Sequence, residues 1–272
     1  MKTTPDVIKF SSRNIFVLVL ASSISAMGFL WPFFYSGDNL PRTQIFFWVA
    51  LSVALVLVIL EISNSRLDAK SVALLGVLSA LIAALRPLGA GAVGIEPMWF
   101  LLILSARVFG GSFGFLLGLI SVFVSALITG GLGPWMGYQL FAAAWIGLLA
   151  GFLPGRKTLR GTKEIAMLAF FAVIASELFG ILMDLQFWPW ALGSQTQFSY
   201  VSGGPVATNL TNFLTFHFLT AMAWDLPRAV FTSGLIIVAG KPVLSALRRS
   251  YVRAAFLTPI EFIEHGMQQK EV

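Results

Sequence analysis

The sequence predicts an all-α, polytopic membrane protein, and three observations carry that expectation. Hydrophobic residues make up 57% of the chain and charged residues 11%, whereas soluble domains hold about 25% charged residues. The apolar residues gather into runs of bilayer length, a spanning helix needing roughly 17–25 of them. The basic residues fall almost entirely on one side of those runs. Zero cysteines among 272 residues exclude a disulfide framework, thiolate metal ligands and a cysteine nucleophile. The net charge of +6 therefore reads as topology and not as nucleic-acid affinity.

Eight spans follow in order, each bounded by Gly, Pro or charge. The first, about 14–35, starts after Arg13; it lacks a small-x-small cleavage site and reads as a retained helix, not a signal peptide. The second, 43–63, lies between Arg42 and Arg66. The third, 71–86, runs from Lys70 to Arg86. The fourth, 97–110, is short and stops at Gly110-Gly111. The fifth, 112–129, ends in Thr129-Gly-Gly. The sixth is 138–153, the seventh, 165–186, follows Lys163, and the eighth, 222–243, carries Asp225 and Arg228 near its start. With both termini cytoplasmic, fifteen Lys and Arg residues fall inside and only Arg42, Arg86 and Arg228 outside, a strong positive-inside bias. The expected organisation is a two-helix extension over 1–67, a six-helix core over 68–250 and a cytoplasmic tail over 251–272.

The outer segments 86–97, 129–138 and 186–222 are rich in Gly, Trp and neutral polar residues. The last is too long for a simple turn, and Pro189 and Pro205 are expected to break any continuous helix there. It reads equally as a lid over a ligand or as an interfacial segment anchored by tryptophan. Trp99, Trp135, Tyr138, Gln139, Trp188, Trp190, Tyr200, Asn209, Asn212 and Trp224 supply apolar walls with a few orienting polar groups, the chemistry of a pocket for a flat or bulky organic molecule. The outer charges Arg86, Glu96, Asp184, Asp225 and Arg228 are mixed in sign, which suits a neutral or mixed-charge ligand and not a strong anion.

Small residues recur at helical spacing in two places. Gly76, Ala80 and Ala84 form a stripe on the third span, and Gly110, Gly114 and Gly118 form another at the start of the fifth. Packing within the bundle is the expected use of the glycines; for the alanine-rich stripe, docking of another membrane subunit competes with it. Gly89, Gly91 and Gly94 spell G-x-G-x-x-G, but no strand precedes them, so a dinucleotide site is rejected and a closely approached backbone kept.

Enzyme signals are poor. His217 and His265 stand 48 residues apart, with no metal-ligand spacing, and neither a G-x-S-x-G elbow nor a Walker lysine occurs. Neither a catalytic residue, nor a metal, nor a cofactor is expected. Glu177 and Asp184 share a face of the seventh span, and Asp225 and Arg228 at i, i+3 are expected to pair as a structural clamp.

Residues 71–249 resemble a known family. The features are the small-residue helix Ala73 to Arg86, the helix–turn–helix from Leu104 to Gly118 with its Phe109-Gly-Gly-Ser112, and the turn Thr129-Gly-Gly-Leu-Gly-Pro-Trp135. Gln139-Leu-Phe-Ala-Ala-Ala-Trp-Ile-Gly147 and Trp224-Asp-Leu-Pro-Arg-Ala229 follow, leading to Gly240-Lys-Pro-Val-Leu-Ser-Ala-Leu-Arg-Arg249. Together they are similar to the substrate-binding subunits, the S-components, of energy-coupling factor vitamin transporters, particularly the actinobacterial type assigned to cobalamin. The resemblance implies a six-helix core in the bacterial cytoplasmic membrane and capture of a vitamin at the outer face. It also implies docking through Gly76, Ala80 and Ala84 onto a transmembrane coupling subunit that rides on two cytoplasmic ATPases. A corrinoid is favoured, while a smaller ring such as a thiazole, a pyrimidine or a queuosine precursor would also stack among the tryptophans. Two rivals remain: a self-contained secondary transporter or channel, with Glu177 and Asp184 as its only relay candidates and no inverted repeat to support it, and a membrane enzyme acting on lipid.

Overall fold

Every regular element among the described residues is helical in the computed structural model, which describes residues 7–8, 10–34, 49, 56, 69–89, 94–133, 135–156, 158–191 and 196–253. The helices are α1 (Ser12–Leu30), α2 (Ala69–Leu85), α3 (Met98–Phe109), α4 (Gly111–Thr129), α5 (Met136–Phe152), α6 (Thr162–Ala191), α7 (Val206–Phe216) and α8 (Met222–Arg253). Five stretches are long and apolar enough to cross a membrane: 12–33, 69–89, 111–129, 162–189 and 206–252; α3 and α5 are shorter apolar helices. The chain is a polytopic all-α membrane protein. Most of the expected second span, most of the tail and Gly91 lie outside the described residues.

Local chemistry sets the helix ends. Ser11 Oγ caps α1 by accepting a 3.2 Å bond from the Asn14 N–H. Gly110, at φ 107°, lets the chain reverse between α3 and α4 in a single residue. The glycine stripe of α4 then lies against α5: a Cβ on Gly118 would fall 2.4 Å from the Ala143 carbonyl oxygen, and one on Gly151 2.3 Å from the Gly111 nitrogen. These glycines pack inside the bundle, as expected, because only a hydrogen side chain admits backbones this close.

The end of the bundle rich in Lys and Arg is tied by a buried network. Arg107 at the end of α3 donates from Nε to Glu164 at 2.9 Å and from Nη1 to the Leu153 and Pro154 carbonyls at 2.8 and 3.1 Å. Arg248 of α8 donates to both Glu164 oxygens at 2.6 and 2.8 Å, and Arg156 donates to the Arg107 and Val108 carbonyls. Residues read from sequence as topology markers thus also close the last carbonyls of α3 and α5 and join four helices.

Two expectations about the outer segment are corrected. Pro189 does not break the seventh span; α6 continues through it to Ala191. The ring stands two residues before the helix end, so its missing N–H sacrifices one terminal bond and not an interior register. The expected loop up to 222 is largely helix as well. Pro205 caps α7 at φ −56° and ψ 139°, where its carbonyl accepts from Asn209 N–H at 3.1 Å and no donor is required of it. α7 then runs through a π turn, His217–Ala221, directly into α8.

Candidate functional site

At the end of the bundle opposite the arginine network, α5, α6 and α8 leave a cavity of about 420 Å³ lined by Trp135, Gln139, Phe179, Gly180, Met183, Asp184, Gln186, Phe187, Ala221, Trp224, Asp225 and Arg228. The charge bias makes this the end expected to face outward. Its size falls in the range of small-molecule sites, about 300–1,000 Å³. Trp135, Phe187 and Trp224 are 44%, 56% and 52% exposed, so their faces are available to a flat ligand. The α6 contribution is one helical stripe, Phe179-Gly180, Met183-Asp184 and Gln186-Phe187.

Of the residues expected at the site, the structure brings Trp135, Gln139, Trp224, Asp225 and Arg228 to this wall. Arg86, Glu96 and Trp99 stand directly behind it. Arg86 Nη2 donates to Gln139 Oε1 at 2.7 Å. Glu96 accepts from the Trp99 indole N–H and from Arg228 Nε, the latter at 3.1 Å. Arg228 Nη1 donates to Asp225 Oδ1 at 2.5 Å, so the expected i, i+3 pair forms. The guanidinium also lies 4.9 Å from the Phe179 ring, which packs against Trp99 at 4.5 Å. Gly94, at φ 68°, brings the outer loop onto this helix start: a Cβ there would lie 2.4 Å from the Trp224 carbonyl oxygen. The glycine-rich segment is thus closely approached by backbone.

Four other expected residues form a separate aromatic cap. Trp188 is fully buried and donates from its indole to the Phe198 carbonyl at 2.7 Å, with Tyr200 and Phe213 edge-on to its ring at 5.5 Å. Asn209 holds Val201 through both its backbone groups at 2.9 Å, and Asn212 donates to the Ser199 carbonyl at 2.9 Å. These contacts pin Phe198 to α6 and Ser199 and Val201 to α7. Tyr138 is buried against Phe29 of α1, rings 4.8 Å apart. The side chain of Trp190 lies outside the described residues.

A family model for the S component of the ECF-type riboflavin transporter matches residues 66–226, more than half of the chain. The chain belongs to that family. Curated proteins and solved structures give no match. As an S component the protein is a transport subunit and not an enzyme, built as a multi-pass membrane protein. The matched segment contains α2 to α7 and the pocket side chains up to Asp225.

On the flank of this S component, Gly76, Ala80 and Ala84 all face outward from α2, and nothing lies within 4 Å of a Cβ built on Gly76. The opposite face of α2, Leu75, Leu78, Ile82 and Ala83, is buried in the bundle.

Sequence reasoning missed Phe179, Met183, Gln186 and Phe187 as pocket residues and put His217 in a loop. The first four were detectable as a stripe on the same face as Asp184. His217 instead lies 1% exposed between Glu177 and Asp184; a π turn leaves no sequence signature by which to find it.

Proposed function

We propose that this S component captures a flat, ring-bearing vitamin in the outer cavity and passes it to the cytoplasm together with a transmembrane coupling subunit and two cytoplasmic ATPases in a bacterial cytoplasmic membrane. The observation that carries the reading is the cavity of about 420 Å³ between Trp135, Phe179, Phe187 and Trp224, with Gln139, Asp225 and Arg228 as its polar edge. Aromatic walls stack a planar ring, and a few fixed polar groups orient it. Between a corrinoid and a smaller ring compound, this volume supports the smaller. A corrinoid carries a macrocycle with peripheral amides and a nucleotide loop, more than such a cavity holds. The matching family is that of riboflavin transporters, and riboflavin, a tricyclic ring with a polyol tail, suits the site in size and in its polar rim.

The outward stripe Gly76, Ala80 and Ala84 supports docking of the coupling subunit there, since small side chains let helices approach closely in lipid. Native mass spectrometry of the detergent-purified protein tests the reading. A bound molecule of flavin-like mass is the expected result. A bound corrinoid overturns the substrate class, and a protein that stays empty against a vitamin panel overturns the binding role.

A further inference from the structure

At the edge of the cavity, α6, the π turn and α8 bring together Glu177 and His217, which the vitamin site does not use, with Asp184 and Asp225 of its wall. His217 Nδ1 lies 2.7 Å from Asp184 Oδ2, and Nε2 lies 2.8 Å from Glu177 Oε1. Asp225 presents a carboxylate oxygen to the same spot: donor atoms of Glu177, His217 and Asp225 all lie within 4.8 Å of one another. Residues eight apart on an uninterrupted α-helix sit about 80° apart around the axis. The π turn absorbs about one residue, bringing His217 and Asp225 onto one face of the helix toward α6.

Asp225 supplies a second, independent observation. Its side chain is 3% exposed, Oδ1 is taken by Arg228, and Oδ2 has no hydrogen-bond partner among the described residues. Oδ2 points at Gly180, where a Cβ would fall 1.8 Å from it, one turn from both Glu177 and Asp184. A buried carboxylate oxygen without a donor is costly, and a cation at this spot satisfies it.

We propose that Glu177, His217 and Asp225 bind a divalent transition-metal cation of the Zn²⁺ type between α6 and α8, with Asp184 orienting the imidazole. One imidazole and two carboxylates are the donors such ions take, whereas imidazole is a poor ligand for Mg²⁺ or Ca²⁺. Nδ1–H donating to a carboxylate is how metal-bound histidines are commonly oriented, leaving Nε2 as the ligand. Two donors at about 2.0–2.1 Å from a tetrahedral ion stand about 3.3 Å apart, so His217 and Glu177 need to open by only about half an ångström. Charge agrees. Glu177 and Asp184 pair with His217, Glu96 and Asp225 with Arg228, and Arg86 also attracts Glu96; four carboxylates against two guanidiniums leave two negative charges, which a dication on neutral His217 cancels and a protonated imidazole only halves. The site does not depend on the vitamin reading, because the ligands bind the ion whether or not the cavity is filled.

The test is a Zn²⁺ titration of untagged, chelator-stripped protein in lipid nanodiscs without added vitamin, with bound metal counted by elemental mass spectrometry. One Zn²⁺ per chain is expected. Glu177→Gln and His217→Gln are expected to weaken it at least tenfold, and Asp184→Asn by roughly 10- to 100-fold. The Glu177 side chain is 36% exposed, so Glu177→Gln keeps the fold even where His217→Gln does not. Failure of the parent protein to bind stoichiometric Zn²⁺, or equal binding by folded Glu177→Gln, overturns the proposal.

Discussion

Gly114 of α4 and Gly147 of α5 meet backbone to backbone: a Cβ on Gly114 would lie 2.3 Å from the Gly147 carbonyl oxygen, and one on Gly147 2.1 Å from that of Gly114. No side-chain rotation relieves a clash with backbone. Gly114→Val is therefore expected to destabilise at the upper end of the overpacking range, about 3 kcal/mol or more, lowering the melting temperature in a detergent thermal-shift assay. Gly76→Ala, with open space around it inside a helix, is expected not to lower the melt and to raise it slightly.

The α2 stripe yields the complementary outcome. Ala80→Leu with Ala84→Leu adds bulk to an outward face, so the isolated protein is expected to melt as the parent does and to bind ligand equally. Co-purification with the coupling subunit is expected to fall at least tenfold. Undiminished co-purification would show that the partner docks elsewhere.

Tryptophan substitutions separate the pocket from the cap. Trp135→Ala removes a half-exposed stacking face and is expected to weaken ligand binding by about 1–2 kcal/mol, roughly 5- to 30-fold in Kd, with little change in melting. Trp188→Ala deletes a fully buried ring together with its bond to Phe198 and is expected to cost about 3–5 kcal/mol of stability. Parallel binding isotherms and melts of the two variants check the contrast.

Glu164 is 1% exposed and shared by Arg107 and Arg248. Glu164→Gln leaves the Arg107 guanidinium buried without its counter-charge and is expected to cost about 3–5 kcal/mol. Arg107→Lys is expected to fall between parent and Glu164→Gln, because an ammonium keeps the charge but loses the fork that also reaches Leu153 and Pro154. Thermal melts of the three proteins give the ranking.

Helices α1 to α6 and α8 were legible in the sequence because bilayer-length apolar runs and a one-sided charge distribution are composition-level signals, whereas α7 lay hidden in a segment read as a loop. The pairing of Asp225 with Arg228 followed from i, i+3 spacing alone. What stayed hidden depended on long-range geometry. Gly76 and Gly114 belong to the same small-xxx-small pattern, and nothing local says that one faces outward and the other a carbonyl. Trp135 and Trp188 are the same residue type in adjacent outer segments, yet only the path of α6 through Pro189 carries Trp188 under the cap. Glu177 and Asp184 were recognisable as one face, while their partner His217 arrives by a π turn that the sequence does not announce.

The most direct measurement is a fluorescence titration of riboflavin with the purified S component, comparing the parent with Trp135→Ala and Phe179→Ala. Saturable quenching at one flavin per chain, with weaker binding in both variants, is the predicted result. Absence of quenching by folded protein, or quenching that neither variant alters, would contradict the assignment of the vitamin to this cavity.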